Sequence, residues 1–409
     1  MKKGVLLISV LVLLIGCRTD NVSIFGHVEQ LCNKDNGKLW GVNLYSPVLG
    51  VDSLRNIVSN VSDAPKTFPA DKPVANSTTE LDGKRWTMVL WPLSGDQKHQ
   101  SIVLIHEMFH YRQPELGLSV DKDPNNSHLG NRDARTLLKL EWNALKFAAT
   151  CTGEQKKAAL ADALSFRERR RQLYPDFIAE ENSLEIQEGL AEYTGRRIVI
   201  PSNKEFLQSL SELDYLLESD NLTRSFAYLS GPLYGLVLDQ SGYAWHAEIK
   251  ADSDLGSSAM TIYGIDLPND LDAAVESAKA MYDFDSIDAV EESLQLKLKE
   301  RNETLLKLFA PDNVITLESP NLSIQFSPDN MIKMEDGSMV IYDGTAFCDW
   351  GSVEGHPLKV TGDWHRIELP RLDTLSVKGD TIIATGWTLI RNGKSGAKGT
   401  TFTGISIPR

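Results

Sequence analysis

Cysteine is scarce in this chain, with four among 409 residues: Cys17, Cys32, Cys151 and Cys348. Spacings that wide exclude a disulfide-dense scaffold and a cysteine metal cluster, both of which need closely set pairs. Positive charge is also short. Lys and Arg number 42 against 56 Asp and Glu, a formal net charge of -14. Nucleic acid, which is bound through clustered cations, is therefore excluded as a partner of the chain as a whole. No internal repeat of solenoid or propeller period is present. What remains is ordinary soluble composition, 42% hydrophobic and 24% charged, in a chain longer than one hydrophobic core usually serves, so a second unit is expected beside the main one.

The first residues have the layout of an export signal. Lys2 and Lys3 precede an apolar run from Gly4 to Gly16, which is too short to span a bilayer comfortably. The run ends "LLIGC", which resembles a bacterial lipoprotein signal, with cleavage before Cys17. That resemblance implies a lipid-modified Cys17 and a protein anchored at the bacterial cell envelope, since two or more acyl chains give stable anchoring. Arg18 at the next position fits sorting to the outer membrane, on its periplasmic or surface side. An ordinary secretory signal with an incidental cysteine is the alternative, and either one takes the protein out of the cytoplasm. The other three cysteines then allow at most one disulfide and leave one free thiol.

Hydrophobic periodicity divides the rest. "KLWGVNLYSPVLGV" and "KRWTMVLWPL" read as strands joined by a Pro, Asn, Ser and Thr-rich loop around residues 64–79. Residues 132–200 read as helical almost throughout, with Gly153 as a breaker between the first two helices and Gly195 as the end of a third. A helix-rich region continues to about residue 307, and short β-prone runs such as "SMVIYDG" and "TIIATGWTLI" follow. The expected organisation is a signal peptide at 1–16, a main domain at 17–310 and a β-rich domain at 311–409. The fold class expected is α+β, with an N-terminal sheet, an active-site helix, a large helical part and a C-terminal antiparallel β unit.

The chemistry centres on "SIVLIHEMFHYRQPE". Residues four apart share a helical face, so His106 and His110 can offer imidazoles to one ion, with Glu107 beside them. This is the HExxH arrangement of zinc metallopeptidases, in which zinc lowers the pKa of a water and the glutamate acts as general base and acid. A tetrahedral site needs a third protein ligand. The metzincin extension is absent, because Gln113 and Leu116 stand where its glycine and third histidine would be. "QEGLAEY" instead resembles the gluzincin pattern of aminopeptidase N-like and thermolysin-like enzymes. The resemblance implies Glu188 as third ligand, Gly189 as its small neighbour and Glu192 as the acid that orients a ligand histidine. It also implies, through "AYLSG", that Tyr228 stabilises the oxyanion, with Tyr234 as substitute. His128 and His246 are further candidates for contacts to the transition state, each weighed against an ordinary structural histidine. The chain departs from that pattern in two ways: 77 residues separate His110 from Glu188, and the acidic exopeptidase motif is missing.

Glu181, Glu185, Glu188 and Glu192 fall at helical spacing and form one acidic stripe, which repels itself unless cations lie against it. For Glu181 and Glu185 a solvated charged face is the expectation, with "FRERRR" as a possible cation source. The strand containing Trp86 to Leu93 is a candidate edge that holds an extended substrate by backbone pairing, or else a buried sheet member. The function expected is zinc-dependent hydrolysis of peptide or protein substrates at the cell envelope, with one zinc per chain. The competing reading is an inactive zincin-like lipoprotein that binds a partner there.

Overall fold

A computed structural model describes residues 20–69, 72–120, 124–319, 322–326, 330–334, 336–348, 351–371, 375–391 and 401–403; the expected signal peptide and Cys17 lie outside them. The chain is α+β and divides into two compact units at Glu291/Glu292. The break expected at 310/311 falls instead a few residues before the first strand of the second unit, Val314–Glu318. The division comes earlier because Leu305 and Phe309, at the end of the long helix Phe284–Leu308, share a small core with Val340 of the second unit.

The first unit opens with helix α1 (Asp20–Asp35), which the sequence reading had not identified, and a four-stranded sheet. Its strands are β1 (Val48–Val51), β2 (Ile57–Ser59), β3 (Ser77–Leu81) and β4 (Lys84–Leu90), in the order β2-β1-β4-β3. Strand β4 runs parallel to β1 and antiparallel to β3. It is therefore an interior strand, and its apolar residues on both faces follow from burial on both sides: Trp86 to Val89 are all buried. The edge is β3, which begins inside the span expected to be loop. The first apolar segment yields only the four residues of β1, because Lys38 to Pro47 run as turns and irregular chain.

Helix α2 (Gln97–Arg112) follows, started by Asp96, whose side chain accepts from the His99 backbone N–H at 2.8 Å. Next come α3 (Arg132–Thr150) and α4 (Gly153–Leu173), packed against each other along their lengths; Gly153 sits between them at φ +57°. After α4, α5 (Ile178–Leu184) runs through a π-turn, Glu185–Gly189, into α6 (Leu190–Val199). Gly195 does not end this helix. It lies where α6 meets α2, and a Cβ there would stand 2.6 Å from the Ile102 carbonyl oxygen, so the glycine is needed for close approach. Helix α7 (Asn203–Ser209) precedes α8 (Ala227–Asp239), and α9 (Leu255–Tyr263), α10 (Leu271–Ala278) and the first residues of α11 (Phe284–Leu308), which runs on into the second unit, complete the helical part. Among the described residues no helix is long and apolar enough to cross a membrane.

The second unit is a β-sandwich of two antiparallel six-stranded sheets. Alternate residues of both sheets, among them Ile315, Leu317, Val353, Ile367 and Leu389, form a single core between them. Cys32 and Cys151 are buried free thiols, so packing rather than cross-linking is their role. Burial pushes the Cys32 thiol up to about 12.

Candidate metal centre

The site is assembled where α2, the π-turn and α8 converge. His106 and His110 lie one turn apart on α2, and their Nε2 atoms are 3.1 Å from each other. Glu188, in the π-turn, brings Oε2 to 3.5 Å from His106 Nε2 and 3.4 Å from His110 Nε2. Three ligands at ~2.0–2.1 Å from a tetrahedral ion must lie ~3.3–3.4 Å apart, which is the triangle these atoms make. Glu107 also lies within 4.8 Å of both imidazoles. Its carboxylate is set back from the tight triangle, and its Oε2 is buried with no hydrogen-bond partner in the protein.

The imidazoles are held from behind in the form a metal requires. His106 Nδ1 lies 3.1 Å from Glu192 Oε2, and the other oxygen of Glu192 accepts from Arg196 Nε at 2.7 Å. The Nδ1 proton is thereby directed at a carboxylate, leaving the Nε2 lone pair facing the triangle. His110 Nδ1 is 2.8 Å from Gln113 Oε1. The Gln113 amide nitrogen donates to the backbone carbonyls of Gln187 at 3.0 Å and Ile186 at 3.3 Å. Those carbonyls only accept, so the amide orientation is fixed, and His110 must donate from Nδ1. With the proton on Nδ1, both imidazoles can offer Nε2 to an ion, and the donor set of two nitrogens and one carboxylate oxygen suits zinc.

Charge in the site favours a cation at the triangle. Burial alone would lower the His106 pKa, but Glu188, Glu192 and Glu107 outweigh it and push it up to about 10. Burial would raise Glu188, yet hydrogen bonds to His106 and His110 hold it far below the usual carboxylate range. Burial raises Glu107, only partly opposed by the two imidazoles.

Two glycines bring the third element in. Helix α8 crosses the π-turn with backbones touching: a Cβ on Gly231 would stand 2.3 Å from Gly189 Cα. Tyr228, one turn before Gly231, therefore reaches Glu188, and its hydroxyl donates to Oε2 at 3.1 Å. The triangle opens into a cleft of about 640 Å³, rimmed by Asn76, Ser77 and Thr78 at the edge strand β3 and by Arg224 and Tyr228 opposite.

The other candidates lie elsewhere. Tyr234 donates to Glu141 at 2.7 Å within a buried ionic network and is not a substitute for Tyr228. His128 sits 2.7 Å from Glu181 and stacks on Phe177, and His246 stacks on Trp245, with burial lowering its pKa to about 4. Both are structural histidines outside the cleft lining. Glu181 and Glu185 are buried rather than solvated, paired with Arg170 and Arg167. The π-turn explains the split. Its i→i+5 bond, from the Leu190 N–H to the Glu185 carbonyl, adds one residue to the turn, so the acidic stripe divides into a pair facing α4 and a pair facing α2.

Gln113 and Arg196 were not foreseen. Both were legible only as spacing, three residues after His110 and four after Glu192. No family model, curated protein or solved structure matches the chain.

Proposed function

We propose that this protein is a zinc-dependent peptide hydrolase of gluzincin type with a zincin-like catalytic unit, anchored at the bacterial cell envelope through Cys17. The observation that carries this reading is the near-equilateral triangle of His106 Nε2, His110 Nε2 and Glu188 Oε2, with an unpartnered Glu107 carboxylate oxygen beside it. Bound there, zinc supplies a Lewis acid that polarises a peptide carbonyl and makes water a nucleophile near neutral pH.

The chain's own residues do the rest. Glu107 removes the proton from the attacking water and delivers it to the leaving amine; its raised pKa, a consequence of burial, suits both halves of that task. Tyr228 turns its hydroxyl from Glu188 toward the developing oxyanion, a contact of a kind worth ~3 kcal/mol of barrier. Arg196, through Glu192, keeps His106 in its ligating tautomer. Strand β3 is a sheet edge beside the cleft, so an extended substrate can add to the sheet as a further strand.

The test is elemental analysis of the soluble form, residues 18–409, purified without added metal, beside Glu188→Ala. About one zinc per wild-type chain and a large loss in the variant are expected. Absence of zinc from the wild type after reconstitution would sink the proposal and favour an inactive, partner-binding lipoprotein.

A further inference from the structure

The Gln113 side chain touches both halves of the triangle's support. It lies at the C-terminal end of α2, immediately past Arg112, and is 6% exposed. Its oxygen accepts from His110 at 2.8 Å, and its nitrogen donates to two successive carbonyls of the π-turn at 3.0 and 3.3 Å. A π-turn moves the ordinary i→i+4 pairing out of register, so its carbonyls need partners from outside the helix. Gln113 supplies them at Ile186 and Gln187, the two residues that precede Glu188.

Building on the zinc reading above, we infer that Gln113 is a positioning residue that locks the third ligand to the second, setting the His110 tautomer and the placement of Glu188 through one amide. The two functions together cannot be met by a side chain that only accepts or only donates. A glutamate could hold His110 but would face two carbonyl oxygens with a third negative oxygen. A lysine could satisfy the carbonyls but would repel the Nδ1 proton. A neutral amide of this length does both, and asparagine is one methylene too short to bridge the same two partners. The π-turn is also fixed from its other side, where Arg167 holds Glu185 at 2.9 and 2.6 Å. Glu188 therefore sits in a turn clamped front and back, and the front clamp is shared with a zinc ligand.

The experiment compares wild type, Gln113→Met and Gln113→Glu in the full soluble chain. Zinc affinity is measured by competition with a chelator, the visible spectrum is recorded after cobalt substitution, and thermal unfolding is followed in excess chelator. Loss of residues that orient metal ligands typically weakens metal binding about 10- to 100-fold, and Gln113→Met is expected in that range. Gln113→Glu keeps the acceptor for His110 and loses both donors, so its cobalt spectrum should also depart from wild type as Glu188 shifts. A wild-type affinity and cobalt spectrum in both variants, whatever their unfolding temperature, would overturn the inference. If Gln113→Met does not fold, Gln113→Glu decides alone. A wild type that takes up no metal removes the zinc reading itself, an outcome distinct from variants that match a zinc-binding wild type.

Discussion

Glu107→Gln is expected to retain about one zinc per chain while peptide hydrolysis falls about 10²- to 10⁴-fold, the usual contribution of a general acid–base group. The ligand triangle does not include this residue, and the substitution keeps its size and position on α2. Only the capacity to accept a proton is lost. Glu107 Oε2 has no partner in the protein, so the amide does not break a hydrogen bond there, and folding should be little affected. Zinc content and unfolding temperature measured beside hydrolysis of an unfolded protein substrate separate the two effects. A variant as active as wild type would mean that Glu107 is not the base. If the protein's effect on cells were also unchanged, the binding reading would take precedence over the enzymatic one.

Residue spacing and a motif resemblance together pointed to much of the site and to less of its surroundings. The HExxH spacing put both imidazoles on one helical face, and "QEGLAEY" named the carboxylate that lies 3.4 and 3.5 Å from them despite 77 intervening residues. The glycines in that motif and in "AYLSG" proved to be one feature, the contact of Gly189 with Gly231 that lets Tyr228 reach Glu188. Helical-wheel reasoning failed at the π-turn, since it assumes a constant rotation per residue and nothing in "EIQEG" announces an extra one. Gly195 was misread for a related reason. A glycine that ends a helix and one that lets two helices touch look alike until the neighbour is known. Strand β4 was ambiguous because apolar residues on both faces describe a buried strand as well as a substrate-holding edge, and pairing on both sides decides for the former.

The buried ionic network behind the π-turn leads to the largest expected loss of stability. Arg167, 2% exposed, donates to Glu185 at 2.6 and 2.9 Å, to Glu141 at 3.1 Å and to Asp254 at 3.2 Å, and it lies over the Tyr234 ring. Arg170 closes the network between Glu141 and Glu181. Arg167→Met keeps the stem that packs among these groups and removes the charge. Carboxylates buried by α3, α5 and the π-turn then lose their counter-ion, and breaking a buried pair in this way costs about 3–5 kcal/mol. Denaturant unfolding should show that loss, and because Glu185 is in the turn that carries Glu188, zinc affinity should fall with it. A stability within about 1 kcal/mol of wild type would mean the network is not coupled to folding as argued. Acid reports on the same network with a definite sign. Burial would raise Glu181, but Arg170 and His128 hold it well below the usual carboxylate range. A depressed group contributes its stabilisation fully above its unfolded pKa of ~4.3 and loses it as pH falls through the folded value. The stability gap between wild type and Glu181→Gln should therefore be widest above about pH 5 and close progressively below about pH 4. A gap independent of pH across that range would place the effect of Glu181 in packing rather than in charge.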